Sequence, residues 1–454
     1  MSIEYTEFLI IGCGPAGIGA AYKLKELGIS NYTILEKSDV YGGLATSYLD
    51  NKGFTWDIGG HVQFSHYEYF DKAMLDALGA DGWLHHQRES WVWIYDRFVP
   101  YPFQNNIHRL PPQVRDECLN GLKSIQTKEK TSNFKDWIQS NFGNGIAKHF
   151  LFPYNFKVWA YEPESMNSVW VGERVSPVDI SRIEENIKHN RDDVSWGPNN
   201  TFQFPLKGGT GAIWKSLSQK IGLENIKLNT EVLSIDNRKK IVTTTDGRKF
   251  SYKHLLSTMP LDQFCKKIQN IPDQIIKSSS KFRYSSTHVI GIGLKGKPNT
   301  ELKTKCWMYF PENNCPFYRV TLFSNYSPNN VPQSGGPYFS LMAEVSESVF
   351  KKVRRDTIIE DTIQGLINTK LISNQDIIVS KWHFHAPYGY PTPFLERDQL
   401  LKEVISYLDE QKLYSRGRFG GWKYEVSNQD HTFMQGAEWA DFIVNHKSEV
   451  TFRL

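Results

Sequence analysis

The sequence predicts an α/β fold in three parts: an opening strand–helix–strand unit, a largely helical insertion and an antiparallel sheet. Three observations carry this. Residues 6–12 form an apolar run ending in Gly12-Cys13-Gly14-Pro15-Ala16-Gly17, a helical pattern follows through Leu27 to a stop at Gly28, and a second run spans Tyr32 to Glu36. That is a βαβ opening. From about 85 to 195 the pattern turns helical and rich in aromatics, as in Asn133 to Phe142 and Gly145 to Phe152, with Pro- and Gly-marked turns. Between about 284 and 390 come strand-like stretches: Thr287 to Leu294, Trp307 to Phe310, Phe317 to Ser324, Tyr338 to Val345 and Ile377 to Phe384.

Taken in order, residues 1–84 open a Rossmann-type domain that resumes at 205–260 and closes with 396–454. The resumption rests on the strand-like Glu231-Val232-Leu233-Ser234-Ile235 and on Asp246-Gly247, a hairpin signal. Residues 85–204 read as the helical domain and 261–395 as the antiparallel sheet domain. The tail from 416 to 446 is a Gly-rich turn followed by a helix opening at Asn428-Gln429-Asp430. A length of 454 residues suits two or three such domains, at roughly 100–200 residues each.

Composition excludes several function classes. The net charge of +4 comes without long Lys/Arg runs, so no nucleic acid or anionic membrane is called for. The short basic run from Lys351 to Arg355 reads as a solvated face. No run of about 18 apolar residues predicts a membrane span, and the apolar start lacks the basic flank of a signal peptide. The five cysteines, Cys13, Cys118, Cys265, Cys306 and Cys315, are scattered without metal-ligand spacing, and read as reduced thiols in a cytoplasmic protein with no metal site.

The glycine loop carries the first chemistry. Gly12 permits the tight turn, Gly14 lets backbone approach a pyrophosphate, Pro15 starts the helix, and Gly17 lets helix and strand pack closely. Glu36, about twenty residues on, stands where a carboxylate accepts from ribose hydroxyls. The loop alone admits NAD or FAD. Gly42-Gly43, followed by Leu44, and Gly59-Gly60 before His61 give an extended cofactor more backbone and favour FAD. In the tail, Gly420-Gly421 and the helix start at Asn428 would present donors to the pyrimidine end of a flavin.

At longer range, the segments GGHVQFSHYEYF (59–70), HQRES (86–90), VPYPFQNNI (99–107), PYNFKVWA (153–160), VGERV (171–175), WGPNNTFQFPLKGGTGAIW (196–214), CWMYFPENNCPFYRVTLFSNYSP (306–328), YGYPTP (388–393) and SRGRFGGWKYEVSNQDHTFMQG (415–436) resemble the eukaryotic-type UDP-galactopyranose mutases. They follow the family's order along nearly the whole chain. Departures are a short linker at 329–337, an early end after the last helix, and WHFHAP at 382–387 where the family is more basic.

The resemblance implies FAD at the glycine loop and a UDP-sugar between flavin and helical domain. His61 and the Gly60 backbone would lie against the flavin ring, Gly43 and Leu44 beside the cofactor, and Val232 at the adenine. Arg418, Asn428 and Gln429 would close over it from the tail. Arg174 and Arg319 would clamp the diphosphate, for which a guanidinium fork is suited, with Tyr309 and Tyr424 adding hydroxyl donors. Tyr101 and Phe103 would stack on uracil and Gln104 would read its amide edge. Asn155 and Trp159 would shape the ribose-phosphate slot, and Phe64, Asn199, Trp307 and Tyr390 are further substrate contacts.

The implied reaction interconverts UDP-galactopyranose and UDP-galactofuranose, with N5 of reduced FAD as nucleophile at the anomeric carbon and NADPH as reductant. The resemblance leaves a homo-oligomer open. Two rivals remain at this stage: an amine or protoporphyrinogen oxidase, in which the glycine pair is usually followed by Arg rather than Leu44, and a non-catalytic UDP-sugar-binding flavoprotein.

Overall fold

The structure, a computed structural model, describes residues 3–125, 131–172, 175–194 and 200–454. Its first layer is a sheet around the buried strand Ile3–Ile11. That strand pairs in parallel with Tyr32–Leu35 on one side and with Lys249–Ser257 on the other. The order runs Val232–Asp236, Ile241–Thr244, Lys249–Ser257, Ile3–Ile11, Tyr32–Leu35, Ile226–Lys227, and Leu413–Ser415 also pairs with Lys249–Ser257. Ile241–Thr244 and Lys249–Ser257 are antiparallel and turn over at Asp246-Gly247, where Gly247 has φ of +85°. Apolar side chains fill both faces, as expected of a parallel sheet covered by helices.

The helix Pro15–Glu26 lies on one face against the C-terminal helix Gln429–Asn445. Their approach is close because two glycines remove side chains from the seam. A Cβ on Gly19 would meet the Phe433 carbonyl oxygen at 2.2 Å, and one on Gly436 would meet the Ala16 carbonyl oxygen at 1.8 Å. The last helix therefore locks the opening βαβ unit from above.

The second large sheet has the order Ile377–Pro391, Tyr284–Lys295, Tyr338–Glu347, Arg319–Leu322, Trp307–Tyr309, Ser90–Ile94, Arg97–Pro100. All its pairings are antiparallel except that of Ser90–Ile94 with Trp307–Tyr309. One face packs under the helix Ile358–Asn368 through Ile290, Leu341, Val345 and Leu366. The other packs on Phe54 and Trp56 through Val289 and Met342.

The helices Pro112–Lys123, Phe134–Ile146, Phe152–Trp159 and Ile180–His189 follow in the same region, and Val92, Ile94 and Val99 at the edge of the second sheet share a core with Cys118, Leu122, Phe142, Ile146 and Ile183. Asn133 caps the second of these helices by accepting from the Asp136 amide at 2.9 Å. Residues 85–204 carry strands beside their helices, since 90–100 supply two strands to the antiparallel sheet and Trp83–Gln87 pairs with Thr201–Pro205. Ser-Trp-Val-Trp-Ile is apolar after Ser90 and shows no alternation, so its periodicity did not separate strand from helix.

Candidate active site

The nucleotide loop follows from its glycines. Gly12 has φ of +102°, and a Cβ on Gly17 would lie 2.0 Å from the Gly12 carbonyl oxygen, so strand and helix meet backbone to backbone. Gly14 faces Gly43 across a gap in which a Cβ on Gly43 would stand 3.3 Å from the Gly14 Cα. The helix starting at Pro15 has no side-chain cap, which leaves its first N–H groups for an anion. Glu36 is buried at the end of the second strand. Its Oε2 accepts from the Cys13 amide at 2.8 Å and its Oε1 from the Ser38 amide and hydroxyl at 2.9 and 2.7 Å. Leu44 packs partly buried behind the glycine pair. This cradle of bare backbone, open helix N-terminus and buried acid fits a dinucleotide.

A second group forms around a buried carboxylate. Arg319 stands directly opposite Tyr309 on one neighbouring strand and Glu344 on the other, so the three share one row and one face of the antiparallel sheet. Glu344, 2% exposed, binds the Arg319 fork through Nε at 2.7 Å and Nη2 at 2.8 Å, and accepts from Tyr318 Oη at 2.8 Å. It also accepts from the Gly60 amide at 3.0 Å. A Cβ on Gly60 would fall 2.7 Å from Thr321 Oγ1 and 3.7 Å from Arg319 Cζ, so the loop Gly59-Gly60-His61 presses on the arginine. Against the cost of burial, Arg319 and these hydrogen bonds hold the Glu344 carboxyl below its ordinary range, and Glu344 holds Arg319 firmly charged. His61 next to them has a buried Nδ1 without a hydrogen-bond partner among the described residues. Burial pushes its pKa down to about 4; Glu344 opposes this and the Arg418 and Arg319 charges add to it. The imidazole is neutral at physiological pH.

Aromatic side chains form two further groups. Arg88 lies 5.2 Å over the ring of Tyr101 and 5.1 Å over that of Trp307, Tyr101 contacts Tyr309 at 5.5 Å, and Trp307 Nε1 donates to Tyr309 Oη at 2.6 Å. In the other, Arg418 lies 5.0 Å over Tyr390 and donates to the Gly389 carbonyl, while Trp159 meets Tyr424 at 4.8 Å and Tyr390 at 5.7 Å. Asn428 is the N-cap residue of the last helix, and Gln429 Oε1 accepts from Trp214 Nε1 at 2.8 Å.

Several expected contact residues have partners within the fold. Phe103 is fully buried and stacked on Phe150 at 4.6 Å. Trp159, 1% exposed, packs against the Tyr390 and Tyr424 rings. Asn155 turns its amide to the Leu151 carbonyl at 2.8 Å in its own helix, and Gln104 donates to the Ser176 carbonyl at 2.8 Å. The Val232 side chain belongs to the core with Leu9 and Leu35. The ring of Phe64 sits edge-on to His66. Arg174 and Asn199 lie outside the described residues. Sequence reasoning missed Glu344 and Arg88. A lone carboxylate in the apolar run Leu341-Met342-Ala343-Glu344-Val345 was the available signal for the first.

Comparison with known proteins bears on this geometry. A family model described as flavin containing amine oxidoreductase matches residues 15–421. A crystal structure of reduced UDP-galactopyranose mutase is 49% identical, covers 98% of this chain and 96% of its own, and superposes with a TM-score of 0.95. Protoporphyrinogen oxidase 2, chloroplastic/mitochondrial, of Arabidopsis thaliana is 24% identical over 263 residues, which is 50% of this chain and 49% of that protein. The chain thus spans about half the length of that curated relative. A putrescine oxidase bound to putrescine shares the fold at 14% identity, with coverage of 98% and 100% and a TM-score of 0.66.

Proposed function

The chain belongs to the flavin-containing amine oxidoreductases and, among them, to the UDP-galactopyranose mutases, and from that premise we propose that it interconverts UDP-galactopyranose and UDP-galactofuranose on reduced FAD. The observation that carries the reading is the row Tyr309, Arg319 and Glu344 facing the Gly60-His61 loop. It joins the part of the fold that suits a flavin to a fixed positive charge suited to a diphosphate.

The glycine loop, Glu36 and the start of the helix Pro15–Glu26 hold the dinucleotide half. The Gly59-Gly60-His61 loop and Arg418 hold the ring half, with Asn428 and Gln429 closing from the tail. When bound and reduced, the flavin supplies a nucleophilic nitrogen, N5, for the anomeric carbon. The chain's own residues do the rest. Arg319, and Arg174 with it, bind the diphosphate and stabilise the charge that grows there as the glycosidic bond breaks. Glu344 fixes the Arg319 fork in advance, so little reorganisation accompanies that charge. Tyr309 and Tyr424 donate to the same phosphates, Tyr101 stacks on the base, and Gln104 reads its edge. His61, neutral, adds no positive charge beside the ring and offers one hydrogen bond from a buried nitrogen. NADPH is the proposed reductant. The five buried cysteines, unpaired among the described residues, support a reducing, cytoplasmic location, and among those residues no helix is long and apolar enough to cross a membrane.

The test is to incubate the dithionite-reduced protein with UDP-galactofuranose without oxygen and to separate the sugar nucleotides by chromatography. UDP-galactopyranose is expected. Recovery of substrate alone from protein that still binds UDP would favour a binding protein. Peroxide release with an amine would favour an oxidase.

A further inference from the structure

We propose that His288, His385 and Glu347 form a binding site for a borderline divalent metal ion of the zinc type, on the sheet face turned away from the candidate active site. The three residues stand on adjacent strands, Ile377–Pro391, Tyr284–Lys295 and Tyr338–Glu347, with His288 directly opposite His385. One ligand atom from each lies within 4.8 Å of the others. Strand alternation separates them from the flavin side: Val289 pairs with Glu344 and His288 with Val345, so His288 and Glu344 point to opposite faces.

The donors fit such an ion. Two imidazoles and one carboxylate with positions left for water are a known zinc ligand set. His288 Nε2 and Glu347 Oε2 are already 3.0 Å apart. Bonds of about 2.0–2.1 Å at a tetrahedral centre place ligand atoms roughly 3.4 Å from one another, so the His385 ring must turn out of its stack on His288 and close in. His385 Nε2 is buried and has no hydrogen-bond partner among the described residues. An orphaned imidazole nitrogen beside a histidine–carboxylate pair is what a metal would satisfy. The ring stacks on His288 with centroids 4.4 Å apart.

The surroundings supply the outer partners that metal-bound groups use. His288 Nδ1 is 2.9 Å from His383 Nε2. With His288 Nε2 on the metal, its Nδ1–H donates to His383. Arg355 donates to Glu347 Oε2 through Nε at 3.0 Å and Nη2 at 2.8 Å, which orients the carboxylate. The Lys351 to Arg355 run is therefore not a purely solvated face, since Lys351 also donates to the Ser346 carbonyl at 2.6 Å. Imidazole donors select zinc, nickel or copper over calcium and magnesium, which prefer all-oxygen sets.

The experiment uses the flavin-loaded enzyme, stripped with EDTA and desalted, then equilibrated with zinc chloride, desalted again and analysed for metal, with a parallel calorimetric titration. About one zinc per chain is expected, with a rise in Tm and no heat from calcium chloride. His385→Gln should lower zinc affinity at least tenfold with flavin content unchanged, and the zinc-induced rise in Tm should vanish whatever small loss of metal-free Tm follows from the broken ring stack on His288. His383→Gln should lower affinity by about 10–100-fold, the usual effect of losing an outer partner. A second cluster, His66, Asp430 and His431, makes His66→Gln the control, and that variant should bind zinc normally. No zinc retained by the wild type, retention undiminished in His385→Gln, or loss in His66→Gln alone would each overturn the proposal.

Discussion

Arg319 is better understood through its counter-ion than by itself. Glu344 is almost wholly buried and takes two charge-assisted bonds from that guanidinium, beside those from Tyr318 Oη and the Gly60 amide. Truncating Arg319 to Ala leaves a buried carboxylate unpaired, a change that costs about 3–5 kcal/mol. Weak UDP binding in that variant would therefore mix lost contact with lost structure. Arg319→Ala should unfold at markedly lower urea, and adding Glu344→Gln should recover most of that loss without recovering UDP affinity. Equal stability of the two variants would remove Glu344 as the partner that matters. His61 gives a pH signature. Its folded pKa of about 4 lies below the ordinary 6.5, so as pH falls the unfolded chain takes the proton first. Its contribution to stability is complete above about pH 6.5 and disappears between there and about pH 4. In His61→Asn that limb of the Tm-against-pH curve should flatten, and an unchanged curve would show that the native imidazole is not held neutral. Residue identity exposed the glycine positions more readily than the charged ones, since Glu344 and Arg88 were passed over. Phe103 and Trp159 belong to the same local strings as Tyr101 and Asn155, yet that Phe103 meets Phe150 and Trp159 meets Tyr424 depends on packing that no string displays.

Among elements, the seam between Pro15–Glu26 and Gln429–Asn445 does most to build the site, because it carries the tail residues Asn428 and Gln429 back to the nucleotide loop. Gly436→Ala would force a methyl group onto the Ala16 carbonyl, a backbone atom with no room to retreat. We expect destabilisation of about 1–3 kcal/mol or more with partial loss of FAD on gel filtration. Retention of FAD and a denaturation midpoint within error of the wild type would contradict the role given to this seam. The sequence made the βαβ unit legible because strand, glycine loop, helix and acid fall at fixed offsets. It also located the tail helix, whose start at Gln429 follows the capping signal at Asn428. It did not reveal that Ser90–Ile94 joins the antiparallel sheet beside Trp307–Tyr309. That pairing links residues more than two hundred positions apart, and each strand is short and apolar on both faces.

At the scale of the whole molecule, one fold serves a mutase and oxidases alike, as the likeness to putrescine oxidase at 14% identity makes plain. In this chain the antiparallel sheet turns the Tyr309, Arg319 and Glu344 row toward the Gly59-Gly60-His61 loop. On the proposed reading, isomerisation leaves the sugar at the oxidation level at which it entered, so the reduced cofactor is needed but not consumed. The most direct test is to reduce the purified enzyme anaerobically with a measured amount of dithionite, add UDP-galactofuranose, and follow product and flavin absorbance together. The account predicts many UDP-galactopyranose molecules per reduced flavin, a flavin that stays reduced throughout, and almost no product from oxidised enzyme. Product formed only in proportion to the electrons supplied, or equal turnover by the oxidised enzyme, would contradict it.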